Sequence, residues 1–272
     1  MARFKAGPGG PAGAQSETRR FILLLVRLAI FVLLVRSFVV APYLIPSESM
    51  QPRLLVGDAL LAAKWPYGWS HYSLPFGWPP VPGRYFARPP ARGDVVIFRA
   101  PPGNRINYIK RVIGLPGDHV EMRGGALWLN GRAVTRARLA DLVTPATPNS
   151  PCLSRLYAEA AQGGTVCRYP RYRETLPGGR SYETLDIAAT VADDFGPVMV
   201  PAGHLFLMGD NRDRSEDSRY PAREGGGVGM VPEANLVGRA TVVLWSTDGS
   251  ALLYKPWTWF GAVRWNRIGG GF

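Results

Sequence analysis

Lysine is almost missing from this chain. Of 272 residues 32 are basic, yet only Lys5, Lys64, Lys110 and Lys255 are lysines, against 28 arginines. Arginine serves wherever a solvated cation is wanted, so a retained lysine hints at a group that must lose its proton. Histidine is equally scarce. His71 lies in an aromatic loop, His119 follows a Pro-Gly-Asp turn, and His204 opens an apolar run. None has the surroundings of a Ser-His-Asp hydrolase, and no Gly-x-Ser-x-Gly elbow occurs. Cysteine is limited to Cys152 and Cys167, which excludes a metal cluster. The pair forms a disulfide if this part of the chain is extracytoplasmic, or two free thiols if it is cytosolic. Acidic residues number 20, which leaves a net charge of +12. No zinc-finger spacing or ribonucleoprotein pattern accompanies that charge. The basic residues are scattered, so the charge suits an anionic membrane surface better than nucleic acid.

Long apolar runs are scarce too. There is one, "FILLLVRLAIFVLLVRSFVVA", residues 21–41. As a helix it spans roughly 30 Å, the thickness of a bilayer's hydrocarbon. Arg27 and Arg36 interrupt it. Each costs about 3 kcal/mol inside a membrane unless its side chain reaches the interface. Arg27 can reach the inner face, since helical side chains tilt toward the N-terminus, and Arg36 suits the outer one. Arg3, Lys5, Arg19 and Arg20 precede the run, opposed by Glu17 alone. The positive-inside rule then puts the N-terminus in the cytoplasm and residues 42–272 outside. A cleavable signal peptide ending at Val39-x-Ala41 is the rival, but Pro42 directly after the cut is unfavourable, so an uncleaved anchor is expected.

What is plentiful is glycine (32) and proline (25), in a chain that is 46% hydrophobic. Frequent turns with enough apolar residues for a core favour a β-rich protein. Residues 1–20 are expected to form a disordered cytoplasmic tail. "GDVVIFRA", "YIKRVIGL", "HLFLMG" and "RATVVLWS" read as strands. Asn130-Gly131 between apolar residues signals a two-residue hairpin. Residues 156–162, "LYAEAAQ", read as a short helix. Residues 65–82 and 252–267 are aromatic-rich, and either pack as ordinary loops or rest on a bilayer. The fold class expected is mainly β: an N-terminal transmembrane helix (21–41), then an antiparallel β-sheet catalytic core (42–118 and 202–272). A smaller non-catalytic β subdomain (119–201) is inserted into that core.

Three stretches could carry chemistry. Ser49 lies in "IPSESMQPRL", a turn bounded by Pro46 and Pro52. Lys110 lies among Tyr108, Ile109, Val112 and Ile113; as a strand residue it shares a face with Tyr108 and Val112. Lysine replaces histidine as a base if burial lowers its pKa by roughly 3 units. "GDNRDRSEDSRY", residues 209–220, mixes carboxylates with arginines. Asp213, Ser215, Asp217 and Glu224 fall at positions 1, 3, 5 and 12 of a calcium loop, but Ser218 replaces the glycine such a loop needs. A polar loop held by internal ion pairs is the better reading.

With "PSESMQPRL", "RGDVVIFRAP", "YIKRVIGLPGD", "GDNRDRSEDSRY" and "VPEANLVGRA" in this order behind an apolar segment, the chain resembles bacterial type I signal peptidases, the Ser/Lys-dyad membrane proteases. The resemblance is close over about 20–118 and 200–246. It implies that Ser49 is the nucleophile and Lys110 its general base. The Ser49 N–H and the Ser47 hydroxyl would form the oxyanion hole. Ser215 would hydrogen-bond Lys110, and an Asp217–Arg219 salt bridge would hold the loop. Tyr43, Ile45, Met50, Leu54, Ile97, Tyr108 and Ile109 would line shallow pockets for small side chains. The implied activity is removal of Ala-x-Ala-type signal peptides from exported preproteins through an acyl-enzyme, at the bacterial inner membrane. No cofactor, metal or nucleic acid is implied; the partners would be signal peptides and membrane lipid, and the protein a monomer. Two positions depart from the family pattern: Glu48 stands where glycine is common, and Arg53 where threonine is. On residues alone, an inactive tethered β-rich binding protein and a calcium-binding module stay open.

Overall fold

The computed structural model describes residues 11–74, 77 and 83–272. Arg3 and Lys5, and residues 75–76 and 78–82 of the aromatic stretch, lie outside the described residues. The chain opens as an α-helix, Pro11–Leu34, which widens into a π-helical turn, Val35–Val39. The helix thus includes at least ten residues before the expected span: residues 11–20 are helical rather than a disordered tail, and the tail's residues 1–10 lie outside the described residues. The part long enough to span a membrane, Glu17–Val39, has 23 residues, about 34 Å of helix, and a mean hydropathy of 2.6 over its most apolar 18-residue window. Nearly all its side chains are exposed, as expected of a helix that meets lipid rather than a protein core. Val40 and Ala41, expected in the span, instead begin the first strand.

That strand, Val40–Leu44, is one edge of a seven-stranded antiparallel sheet. Next in order across it come Asp58–Ala63, Leu236–Ser246, Val95–Arg99, Asn107–Gly114, His204–Met208 and Val231–Pro232. The near-continuous apolar runs of the central strands follow from burial on both faces. Val95 to Phe98 are each at most 2% exposed. One core cluster gathers Ile45, Met50, Leu54, Leu60 and Ile97 on one side, and another gathers Val96, Phe98, Val112, Leu205 and Leu207.

Residues 119–199 form three smaller sheets. Val120 and Leu129 pair in a four-stranded sheet that turns at Asn130-Gly131, with φ of 53° and 76° at the two turn residues. Two positive φ values in a two-residue loop explain why the turn is Asn-Gly. Two three-stranded sheets follow, one of which contains the Cys152–Cys167 disulfide's strand Gly164–Tyr169. The expected helix at 156–162 is absent: Arg155–Tyr157 is a 3₁₀ turn and Ala158–Ala161 a strand. Gly163 and Gly164 (φ 101° and 138°) reverse the chain so that Ala158–Ala161 pairs with Gly164–Cys167. Strand pairing overrides the helical preference of the alanines.

Candidate active site

Ser49 owes its position to anchors on both sides. Ile45, just before the turn, donates to Asp58 O at 2.8 Å and accepts from Gly57 N–H at 3.0 Å. After the turn, Met50 and Leu54 are fully buried, and Leu54 N–H closes on Met50 O at 2.9 Å. A serine between apolar residues that must face the core is held with little freedom. The Ser49 carbonyl also accepts from Asn211 N–H at 3.1 Å, which ties the turn to the 209–220 loop.

Lys110 is delivered from the strand Asn107–Gly114, opposite Val96. Its Nζ lies 2.6 Å from Ser49 Oγ, across 61 residues of sequence. The side chain is 4% exposed. Burial strips water from the ammonium and lowers the pKa to about 8, against the opposing pull of Asp217 and Asp210. Tyr108, on the same face as the sequence suggested, places its ring 5.8 Å from Nζ. Ser47 Oγ stands 3.3 Å from Ser49 Oγ. Lys64 is an instructive contrast. It too is buried, and burial likewise lowers its pKa to about 8, with Arg99 and Arg36 adding to the effect. Among the described residues its Nζ meets only the Ser73 carbonyl, at 3.3 Å. A rare buried lysine is therefore not enough; the hydroxyl beside it distinguishes Lys110.

The 209–220 loop closes the site from behind. Asp217 and Arg219 are both fully buried and form a two-pronged ion pair at 2.9 Å. Burial alone would raise the Asp217 pKa, but the Arg219 guanidinium brings it below the usual carboxylate range. Asp217 also accepts from Gly209 N–H, and Arg219 donates to Arg212 O. With both Asp217 oxygens engaged, the calcium-loop spacing has lost a central ligand. Ser215 departs from expectation: it is buried, but its Oγ has no hydrogen-bond partner among the described residues, and Lys110 bonds Ser49 instead. Ser215 is packed against Gly209, where an added Cβ would stand 2.2 Å from Oγ and 2.5 Å from Ser49 O. Two buried pairs were not foreseen from the sequence. Arg111 grips Asp210 with two bonds of 2.7 Å, and Arg212 meets Glu174 at 2.5 Å, joining the loop to the small sheets.

A cleft of about 330 Å³ opens at Ser49 and Lys110. Tyr43, Ile45, Ile97, Tyr108 and Ile109 line it. Met50 and Leu54, expected there, do not; both are turned into the core beside Ile45. Leu44 and Ile106 line it instead, with Arg214 and Glu216 at its polar end. Glu48 faces the Arg214 guanidinium at 3.6 Å, and Arg53 stacks its guanidinium 5.4 Å from the Phe272 ring. Three carboxylates outside the lining of this apolar cleft, Asp186, Asp193 and Asp213, have oxygens within 4.8 Å of one another. Arg136 pairs with Asp186, while Asp193 and Asp213 accept loop N–H groups of Thr190 and of Ile187 and Ala188. These carboxylates therefore serve as loop caps.

A serine hydroxyl against a buried amine, at the mouth of an apolar cleft and directly after an apolar helix, is a recognisable combination. The family model described as "Signal peptidase, peptidase S26" matches residues 18–245. Signal peptidase I of Rickettsia typhi is 34% identical over 254 residues, which cover 87% of each chain. That of Rickettsia massiliae is 33% identical over 256 residues, covering 87% of this chain and 86% of its own. The crystal structure of a signal peptidase I from Enterococcus faecalis, 25% identical, covers 56% of this chain and 97% of its own at a TM-score of 0.30, too low to inform the fold. Matched along most of its length to peptidases of one kind, the chain belongs to the signal peptidase family, peptidase S26.

Proposed function

We propose that this peptidase cuts signal peptides from preproteins with a Ser49–Lys110 dyad, after small residues of the Ala-x-Ala type. The single observation that carries the reading is the 2.6 Å contact between two buried groups far apart in sequence. Neutral Lys110 accepts the Ser49 hydroxyl proton as Oγ attacks the scissile carbonyl. The Ser49 N–H and the Ser47 hydroxyl, 3.3 Å from Ser49 Oγ, stabilise the oxyanion; one such donor is worth about 3 kcal/mol. Lys110 then passes the proton to the departing amine, and the mature chain leaves with its new N-terminus. Water, deprotonated by Lys110, attacks the acyl-enzyme, and the returned proton restores Ser49 as the signal peptide departs with a carboxylate. Asp217 and Arg219 hold the loop that supports the dyad, and Ser215 fills the space beside Gly209.

A narrow apolar cleft lined by Tyr43, Ile45, Ile97, Tyr108 and Ile109 supports small side chains in the substrate. The first of these residues follow directly on the helix, which supports a membrane-held enzyme meeting a substrate that arrives through lipid. Arg19 and Arg20 favour a cytoplasmic N-terminus, and the Cys152–Cys167 bond supports an oxidising, extracytoplasmic location for the rest. The protein acts as a monomer, without a cofactor or nucleic acid.

Incubation of the detergent-solubilised protein with a preprotein tests the dyad. Ser49→Ala and Lys110→Ala are each expected to lower cleavage by roughly 10⁴-fold, and Lys110→Arg equally, because arginine stays protonated. Circular dichroism should show all three folded. Cleavage at the normal rate by any one would overturn the assignment.

A further inference from the structure

The cleft does not end at the nucleophile. A second cavity of about 550 Å³ continues from it, lined by Glu48, Asn149, Asp213, Arg214, Ser215 and Glu216 among others. The two cavities share Pro46, Ser47, Arg214 and Glu216, so they are halves of one trough that meet beside Ser49. Their chemistry differs. The first half is apolar and grows out of the strand that follows the membrane helix. The second half presents three carboxylates and one guanidinium, in a chain whose net charge is +12. Arg223 offsets Glu216 from outside the lining, at 2.9 Å, and the balance inside remains negative. One further feature leaves this half open to a substrate group. The Glu48–Arg214 contact is a single approach of 3.6 Å with Arg214 half-exposed, loose enough for a substrate group to compete with it.

We propose that this acidic half is the leaving-side subsite and that Glu48, balanced by Arg214, makes it select against acidic residues at the start of the mature chain. The inference rests on the proteolytic reading above. An apolar signal peptide occupies the half nearest the membrane helix, so the residues beyond the scissile bond lie along Glu48 and Asp213. A carboxylate there meets like charge in a partly desolvated trough, whereas lysine or an uncharged side chain does not. Asn149 gives the inserted region a part in this wall: its amide Nδ2 is held by Thr247 O at 3.2 Å, which brings the insert up to the trough.

Internal competition between two fluorescent preprotein peptides tests this. The peptides are identical except for Lys or Glu at the second mature position. Because both compete in one tube, the ratio of their kcat/KM values does not depend on the fraction of active enzyme. The full-length protein in detergent is expected to favour Lys about tenfold at low salt. That preference should shrink severalfold in 0.5 M NaCl, roughly as the Debye length falls. Glu48→Gln should reduce it to about threefold or less, and Arg214→Gln should increase it. Arg214→Gln decides the matter if Glu48→Gln does not fold. Cleavage of both peptides with no charge preference, or a preference that both substitutions leave unchanged, overturns the subsite while the proteolytic reading stands. Cleavage of neither peptide overturns both.

Discussion

At the scale of single residues, the fate of Ser49 depends on what lies beside it. Pro46 and Pro52 made a turn legible, and the shortage of lysine and histidine pointed to Lys110 as the base. Lys64 shows where that logic stops, since it is as rare, as buried and as shifted, yet among the described residues its amine faces only a carbonyl. Met50 and Leu54 misled for a related reason: apolar residues next to a nucleophile can face the pocket or the core, and sequence spacing does not say which. Ion pairs were the least legible feature. Asp217 and Arg219 are close in sequence and could be guessed, but Arg111–Asp210 and Arg212–Glu174 depend on the 209–220 loop meeting distant strands in space. Removing one partner of the fully buried pair leaves an unpaired charge. Asp217→Asn is therefore expected to destabilise the protein by about 3 kcal/mol, read from urea unfolding. Gly209→Ala is expected to lower cleavage sharply, because the new methyl group collides with both the Ser215 hydroxyl and the Ser49 carbonyl. Its effect should appear in kcat, since the substrate cleft itself is untouched.

At the scale of elements, strands with strong β-branched runs and the Asn130-Gly131 hairpin were plain from the sequence, because side-chain period and turn chemistry are local properties. The alanine-rich stretch 156–162 was not, because its pairing with Gly164–Cys167 is decided by the glycine reversal beyond it. The membrane helix was found but its limits moved at both ends. Residues 11–20 extend the helix at its start, and Val40 and Ala41 are drawn into pairing with Ala63 and Ala62 at its end. The disulfide joins Cys152 to the strand Gly164–Tyr169 across 15 residues of sequence. Cys152→Ser with Cys167→Ser is expected to cost about 3 kcal/mol, on a chain-entropy basis. Urea unfolding followed by circular dichroism would report it.

At the scale of the whole molecule, one exposed apolar helix leads straight into the edge strand that lines the substrate cleft. On the proposed reading the sheet would be held beside the bilayer, and the direction of the helix would set which side it serves. Added protease is expected to digest residues 42–272 in spheroplasts and to spare them in inverted vesicles; the reverse pattern would reverse the orientation.

The central claim is that neutral Lys110 is the base for Ser49, and the pH dependence of kcat/KM tests it most directly. Burial holds the Lys110 pKa at about 8 rather than the ordinary 10.5, so the active, neutral form is lost as pH falls through 8. kcat/KM is expected to rise about tenfold per pH unit below 8 and to level off above it. The limb should persist in Lys64→Met, because among the described residues Lys64 bonds a carbonyl and not a hydroxyl. A profile that is flat from pH 6 to 9, or a limb near the histidine range of about 6.5, would contradict the assignment.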